Sequence, residues 1–237
     1  VLMPTLLMPR EAFLAVVHGW TRSIHILEKW ILGLDFDVRG IENMPPDTAV
    51  IIASKHQSTY ETLKLHILFE DPAIVLKQEL IKIPLWGRYL AKIKPIAIDR
   101  KNKETAIESI QAGAVRVKDN NRPIIIFPQG TRVSVDTPTS ERPYRVGVAR
   151  MQEATELKIV PIALNTGYFW PKGKWCKRPG TVIFEFLPPI EPGLSREELL
   201  TKLEQVTEER STALLEEAKA VTSSPGIIFR FDFPVDS

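Results

Sequence analysis

The chain has 237 residues, of which 44% are hydrophobic and 25% are charged, so disorder throughout is excluded and a domain with a sizeable core is expected. The net charge of +2 is far too small to indicate a nucleic-acid partner, although it is compatible with an anionic membrane surface. The single cysteine, Cys176, excludes an internal disulfide and fits a reducing compartment.

The first predicted element is an amphipathic helix over residues 11–34. Its apolar side chains recur at spacings of three and four residues and form one stripe, which comprises Phe13, Val16, Val17, Trp20, Ile24, Leu27, Ile31 and Leu34. One interpretation is a helix that packs on its own core. The other is a helix that lies in a membrane interface, with Trp20 and Trp30 near headgroup depth.

No part of the sequence is typical of a cleavable signal peptide or of a transmembrane helix. No uninterrupted apolar run reaches the roughly 18–20 residues that a spanning helix needs. The nearest candidate, within residues 11–34, is interrupted by His18, Arg22 and other polar side chains. The first residue is Val1, so whether a membrane segment precedes it is left open.

Short apolar runs alternate with helical stretches along the rest of the chain. Strands are predicted at residues 49–54, 73–77, 123–127, 158–164 and 181–187. Helices are predicted at residues 59–69, 103–118, 145–156 and 195–219. Ser195 and Glu198 form a capping-box pair at the start of the last helix. This alternation predicts an α/β fold, with a mixed, mostly parallel sheet flanked by helices and preceded by the amphipathic helical segment.

His56 and Glu61 form a candidate catalytic pair. They follow a predicted strand, and active sites of α/β folds favour the carboxyl ends of strands. Side chains five residues apart on one helix point roughly 140° apart, so the two can meet only if His56 lies on the preceding turn. A carboxylate on one imidazole nitrogen would fix the tautomer and leave the other nitrogen as a general base. Alternatively, Glu61 is only the capping-box partner of Ser58.

Two further blocks are candidates for binding an anion. In residues 127–132, Gly130 permits a positive φ, and the backbone N–H groups, Thr131 and Arg132 suit an oxyanion or a phosphate. Arg100 and Lys101 end a short apolar run and could form a second phosphate clamp. Each block also has an ordinary explanation, the first as a glycine turn with a surface arginine and the second as a solvated basic face.

The order and spacing of these blocks resemble the glycerolipid acyltransferase family, which includes bacterial 1-acylglycerol-3-phosphate acyltransferases. The family carries a histidine and an aspartate separated by four residues, a glycine-containing block that ends in arginine, the block Phe-Pro-Glu-Gly-Thr-Arg, and a hydrophobic block around a proline. The matching segments are residues 56–61, 87–100, 127–132 and 160–165, within a similarity that extends over residues 36–190. Two residues depart from the pattern, because Glu61 stands where aspartate is usual and Gln129 where glutamate is usual.

The resemblance implies a role for each matching residue. His56 would be the general base that deprotonates the acceptor hydroxyl, and Glu61 would orient it. The hydroxyl would attack the acyl thioester directly, with no acyl-enzyme, metal or cofactor. The implied substrate-binding residues, which would hold the acceptor phosphate and shape the acyl-chain side, are Arg100, Lys101, Gln129, Gly130, Thr131, Arg132 and Pro161.

The implied reaction moves a fatty acyl group from acyl-CoA or acyl carrier protein to the free hydroxyl of lysophosphatidic acid and makes phosphatidic acid. The implied partners are this lysophospholipid, the acyl donor and a membrane surface, with no nucleic acid. Residues 1–40 would form a membrane-associating helical segment, and residues 41–237 an acyltransferase domain. The expected location is the cytoplasmic face of a bacterial inner membrane, with peripheral or anchored attachment.

Three other functions are left open. An acyltransferase of the same family could use another lysolipid, such as a lyso-ornithine lipid. The departures at Glu61 and Gln129 also permit a phospholipid-binding module that has lost catalysis. An esterase or thioesterase is disfavoured, because the chain has no Gly-x-Ser-x-Gly elbow and neither Ser58 nor Cys176 has an obvious base in its own motif.

Overall fold

A computed structural model describes residues 3–46, 49–99 and 103–223. Its strands are β1 (Leu34–Arg39), β2 (Ile51–Ser54), β3 (Ala73–Lys77), β4 (Ile96–Ile98), β5 (Ile124–Ile126), β6 (Ile159–Leu164) and β7 (Gly180–Phe186). Its α-helices are α1 (Arg10–Leu32), α2 (Tyr60–Leu68), α3 (Gln78–Ile81), α4 (Trp86–Lys92), α5 (Lys103–Asp119), α6 (Gly147–Thr155), α7 (Thr166–Phe169) and α8 (Arg196–Ser223).

The seven strands form one sheet in the order β1-β7-β6-β2-β5-β3-β4. Every neighbouring pair is parallel except β6 with β7, which is antiparallel. Consequently β1 and β7 run opposite to the other five strands. The predicted α/β fold with a mixed, mostly parallel sheet is confirmed.

Both faces of the sheet are covered, and β2 shows how its side chains divide between them. Ile51 and Ala53 pack into one core cluster with α5, α6 and the first half of α8. Ile52, and Val50 just before the strand, lie on the other face, where they join Tyr60 and other side chains of α2. Burial on both faces explains why the central strands are continuous apolar runs instead of alternating ones.

The predicted N-terminal helical segment ends earlier than residue 40. Gly33 adopts the left-handed conformation, with φ of 60°, and its N–H donates to the carbonyl of Glu28, which closes α1 at Leu32. Residues 34–39, which were predicted to belong to the helical segment, instead form strand β1 and pair with β7. The period-two alternation of Leu34, Phe36 and Val38 with charged residues is the sequence signal for this strand.

The apolar stripe of α1 has two environments. Phe13, near its start, is buried against the protein. Toward its end, Leu27 and Ile31 are exposed, and the neighbouring Trp30 is 76% exposed. No helix within the described ranges is both long enough and apolar enough to span a membrane. The start of α1 therefore packs against the protein, whereas its end leaves apolar side chains exposed, and the membrane-interface interpretation stays a prediction for that end.

A buried ion pair joins α1 to α2. The Nζ of Lys64, which is fully buried, donates to a carboxylate oxygen of Glu28 and lies 4.3 Å from the centre of the Tyr60 ring. Burial raises the pKa of Glu28 and lowers the pKa of Lys64, while their mutual attraction opposes both shifts. Each charge therefore depends on the other for its stability in this interface.

Removal of either partner should destabilise the fold, because the remaining charge would stay buried without compensation. We expect Glu28→Leu and Lys64→Met each to lower the free energy of unfolding by about 3 kcal/mol, and the double variant to recover most of that loss. Urea unfolding at pH 7 measures all three. Glu191→Gln, which breaks the exposed pair with Lys158, should cost less than about 1 kcal/mol. Additive losses in the double variant would contradict the coupling.

Candidate active site

The site forms where two neighbouring parallel strands end. His56 follows β2 and Phe127 follows β5, and these strands are paired in the sheet. The two rings stack with their centroids 4.0 Å apart and their planes 20° apart. The N–H of Val133 donates to the carbonyl of His56 over 2.8 Å. The first of the four family blocks, residues 56–61, is therefore in direct contact with the third block, residues 127–132.

His56 and Glu61 meet across the turn that leads into α2. The helix begins at Tyr60, so His56 lies on the turn and Glu61 in the first helical turn, as the spacing required. Nδ1 of His56 lies 2.7 Å from Oε1 of Glu61. An ionised carboxylate can only accept, so the proton is assigned to Nδ1 and Nε2 is left to take up another. This arrangement can remove a proton from a hydroxyl near Nε2.

Glu61 is fully buried, and one of its oxygens holds the turn together. Oε1 also accepts hydrogen bonds from the backbone N–H groups of Gln57, at 2.8 Å, and Ser58, at 2.7 Å. The Ser58 hydroxyl accepts in turn from the N–H of Tyr60. Three donors offset the cost of burying this charge. Capping and orienting are therefore compatible, and the same oxygen is placed to do both.

An apolar cavity of about 1300 Å³ opens beside His56. Strand β3 and helices α1, α2, α4 and α5 all contribute to its walls, with side chains such as Phe13, Leu63, Tyr89 and Ile110. The cavity is larger than the roughly 300–1,000 Å³ of ordinary small-molecule pockets, which suits a long chain. His66 is a polar exception in the wall, and burial lowers its pKa to about 4, so its imidazole is neutral at pH 7.

One end of the cavity, here called its polar end, is lined by most of the third block and by Arg145. Gly130, Thr131 and Arg132 all line it, and Gly130 has the expected positive φ, at 71°. Nη1 of Arg132 donates to the Thr59 hydroxyl over 2.7 Å. Arg145 also lines this end, because its N–H donates to the carbonyl of Pro128 and so ties its segment to the block. No spacing in the sequence marks Arg145, whose position depends on this long-range contact.

Four predicted substrate-binding residues are not placed at the cavity. Arg100 and Lys101 lie outside the described residues. Gln129 and Pro161 are buried and do not contribute to its walls. Pro161 lies in β6 opposite Ala53, just before the β6–β7 ladder begins, so its missing N–H breaks no bond of that ladder. Pro161 therefore does not line the cavity, and its predicted role on the acyl-chain side stays a prediction.

Comparisons with known proteins identify the family. The family model described as "Acyltransferase" matches residues 35–165. That range contains His56, Glu61 and the whole third block, and it covers more than half of the chain.

The chain belongs to the acyltransferase family.

Two relatives and one solved structure illustrate the similarity. The 1-acyl-sn-glycerol-3-phosphate acyltransferase of Pseudomonas aeruginosa is 38% identical over 173 residues, which are 73% of this chain and 66% of that protein. The Saccharomyces cerevisiae enzyme of the same name is 28% identical over 209 residues, 87% of this chain and 67% of that one. The crystal structure of PlsC, a 1-acyl-sn-glycerophosphate acyltransferase from Thermotoga maritima, matches with a TM-score of 0.69 at 24% identity, over 92% of this chain and 87% of that one.

The match to the solved structure supports the predicted fold, and the family model and the two relatives support the predicted family resemblance. The chain spans about two thirds of the length of the P. aeruginosa and yeast relatives and 56% of that of the Limnanthes alba relative. Within the ranges that the structure describes, no cluster of three or more histidine, cysteine, aspartate or glutamate residues could hold a metal ion.

In this member of the acyltransferase family, the amide at position 129 makes a structural hydrogen bond. Nε2 of Gln129 donates to the carbonyl of Arg142 over 3.0 Å, and the side chain is buried. A glutamate, which is usual in the family, could make this bond only in its protonated form. The amide therefore joins the third block to the segment that leads to Arg145.

Gln129→Glu should make stability depend on pH. Only the protonated carboxyl can donate to the Arg142 carbonyl, and burial also disfavours the charged form. Both effects should raise the pKa of the new carboxyl in the folded state above the ordinary value of about 4.3. The variant should therefore match the parent near pH 4 and lose about 1–3 kcal/mol as pH rises to 8. Thermal unfolding at both pH values measures this. The exposed Gln78→Glu serves as control, and equal stability of the position-129 variant and its parent at pH 8 would contradict the proposed donor role.

Proposed function

We propose that the chain is a 1-acylglycerol-3-phosphate O-acyltransferase of phospholipid biosynthesis. It transfers a fatty acyl group from an acyl thioester to the free hydroxyl of lysophosphatidic acid and makes phosphatidic acid. The observation that carries the proposal is the His56–Glu61 pair at the polar end of the apolar cavity. The names of the P. aeruginosa and yeast relatives support the choice of acceptor.

In the proposed reaction, the acceptor hydroxyl attacks the thioester and the thiolate then leaves. Nε2 of His56 takes the proton from the acceptor hydroxyl as the oxygen attacks the thioester carbonyl, and the carboxylate of Glu61 stabilises the imidazolium. The tetrahedral intermediate then collapses with loss of the thiolate, which receives the proton from His56. The donor is acyl-CoA or acyl carrier protein, and no cofactor takes part.

The two ends of the cavity match the two parts of the substrates. Burial of the acyl chain among apolar walls contributes about 0.8 kcal/mol per methylene. Arg132 and Arg145 at the polar end suit the acceptor phosphate, and Arg100 and Lys101 are assigned to the same phosphate from the family resemblance. These cations favour lysophosphatidic acid over a lyso-ornithine acceptor. The intact His56–Glu61 bond favours catalysis over an inactive lipid-binding module.

A membrane surface is the proposed source of the lipid substrate. Leu27, Trp30 and Ile31 form an exposed apolar group at the end of α1, and Trp20 of the same helix lines the cavity. Such a group fits the boundary between headgroups and acyl chains. The location at the cytoplasmic face of a bacterial inner membrane remains a prediction.

Acyl transfer should depend on His56. With labelled acyl-CoA or acyl carrier protein and lysophosphatidic acid in detergent, the parent should form labelled phosphatidic acid. His56→Ala should lower the rate by about 10²–10⁴-fold, which is the usual contribution of a general base. His25→Ala removes a histidine that pairs with Asp35 outside the cavity, and it should retain the parent rate.

Other outcomes have distinct meanings. Substantial turnover by a folded His56→Ala variant would overturn the general-base role. Product only with another lysolipid would replace the proposed acceptor. Free fatty acid without any acceptor would indicate a hydrolase.

Membrane binding should depend on the exposed end of α1. Trp30→Ser with Ile31→Ser should reduce partition into anionic vesicles by at least tenfold, because burying one large apolar side chain is worth about 1.5–3 kcal/mol. Co-sedimentation with vesicles measures this. The matched control, Ile41→Ser with Trp175→Ser, removes the same exposed side-chain types from other elements. Equal losses in the two double variants would contradict a specific role for α1.

A further inference from the structure

A second, polar cleft of about 480 Å³ adjoins the active site. Arg132 lines both this cleft and the apolar cavity, so it stands between them. Gln57, the residue after His56, also lies on the cleft wall, where its side-chain oxygen accepts a hydrogen bond from the N–H of Gly167 over 2.9 Å. The cleft therefore begins beside the proposed general base.

Cationic side chains dominate the cleft. Asp136 and Glu141 are the acidic residues that line it, against six cationic residues, which are Arg132, Arg142, Lys172, Lys174, Arg178 and Lys219. This is a strong local excess in a chain whose net charge is only +2. Such a concentration of one sign of charge in a concave site attracts anions.

Most of these cations are not neutralised by carboxylates. Within the described residues, Lys219 is the only one of the six that makes an ion pair, with Glu216 at 2.8 Å. Arg178 donates to the carbonyl of Tyr168 and lies over the Tyr168 ring at 4.7 Å. Lys172 donates to the carbonyl of Arg132. Their charges therefore remain available to an anionic ligand.

The proposed reaction requires a place for the group that leaves with the sulfur. The apolar cavity is the proposed site of the acyl chain, and its polar end is the proposed site of the acceptor phosphate. The carrier of the thioester, CoA or acyl carrier protein, still has no assigned site, and it must extend away from His56. We propose that the cleft binds the phosphate-bearing end of the phosphopantetheine arm that acyl-CoA and acyl carrier protein share. This assignment rests on the proposed acyl transfer, and the volume of the cleft lies in the roughly 300–1,000 Å³ range of ligand pockets.

Neutralising two cleft lysines tests the assignment in the full chain. Lys172→Gln with Lys174→Gln should raise the Kd of CoA, or of phosphopantetheinylated carrier protein, by roughly 3- to 10-fold at low salt, because both lysines are exposed. The KM of the matching acyl donor should rise equally, while kcat and the KM of lysophosphatidic acid stay unchanged. The carrier that shows the effect is the one the cleft binds. Lys158→Gln with Lys202→Gln is the matched control, since neither residue lines the cleft.

Two measurements separate the cleft from the reaction. Equilibrium binding of CoA and of carrier protein needs no turnover, so it can support the cleft even if lysophosphatidic acid is not acylated. Unchanged binding of both carriers in the Lys172/Lys174 variant would overturn the assignment while leaving the acyl transfer intact. A rise in the KM of lysophosphatidic acid, or lost binding to anionic vesicles with CoA binding unchanged, would also overturn it, because the cleft would then bind headgroups.

Discussion

The buried carboxylate of Glu61 is the interaction on which the active site depends. One oxygen accepts from the imidazole of His56 and from two backbone N–H groups, so the turn after β2, the start of α2 and the ring orientation are fixed together. The same three donors make burial of the charge tolerable. Glutamate is one methylene longer than aspartate, and here its Oε1 reaches all three donors, so this departure from the family pattern leaves the hydrogen bond to His56 in place.

Local patterns predicted most of the fold, because a buried parallel sheet produces apolar runs separated by amphipathic helices. They also placed His56 and residues 127–132 after predicted strands, and the structure shows that these strands, β2 and β5, are parallel neighbours whose carboxyl ends share one edge of the sheet. Strand β1 was missed, because the apolar stripe of the preceding helix seemed to continue through Leu34. Phe127 stacks on His56, which brings residues 127–132 to the candidate site, whereas their role in binding an anion stays a prediction.

Long-range contacts decided the features that patterns could not predict. Arg145 reaches the polar end through its segment's bond to Pro128, and Gln129 is held away from the cavity by its bond to the Arg142 carbonyl. Phe13, Val16, Val17 and Trp20 of the apolar stripe line the cavity, whereas Leu27 and Ile31, farther along the same helix, are exposed. A stripe of apolar residues specifies burial or interface but does not say what the helix faces, because each alternative satisfies the same periodicity.

The single antiparallel pair in the sheet determines where α1 meets the rest of the protein. In a wholly parallel sheet, a helix that leads directly into a strand ends at the edge opposite the active site. Because β7 reverses direction and β1 follows it, Leu34 begins its strand at the edge where β2 and β5 finish. One strand reversal thus brings the end of α1, with its exposed apolar side chains, to the same edge of the sheet as His56.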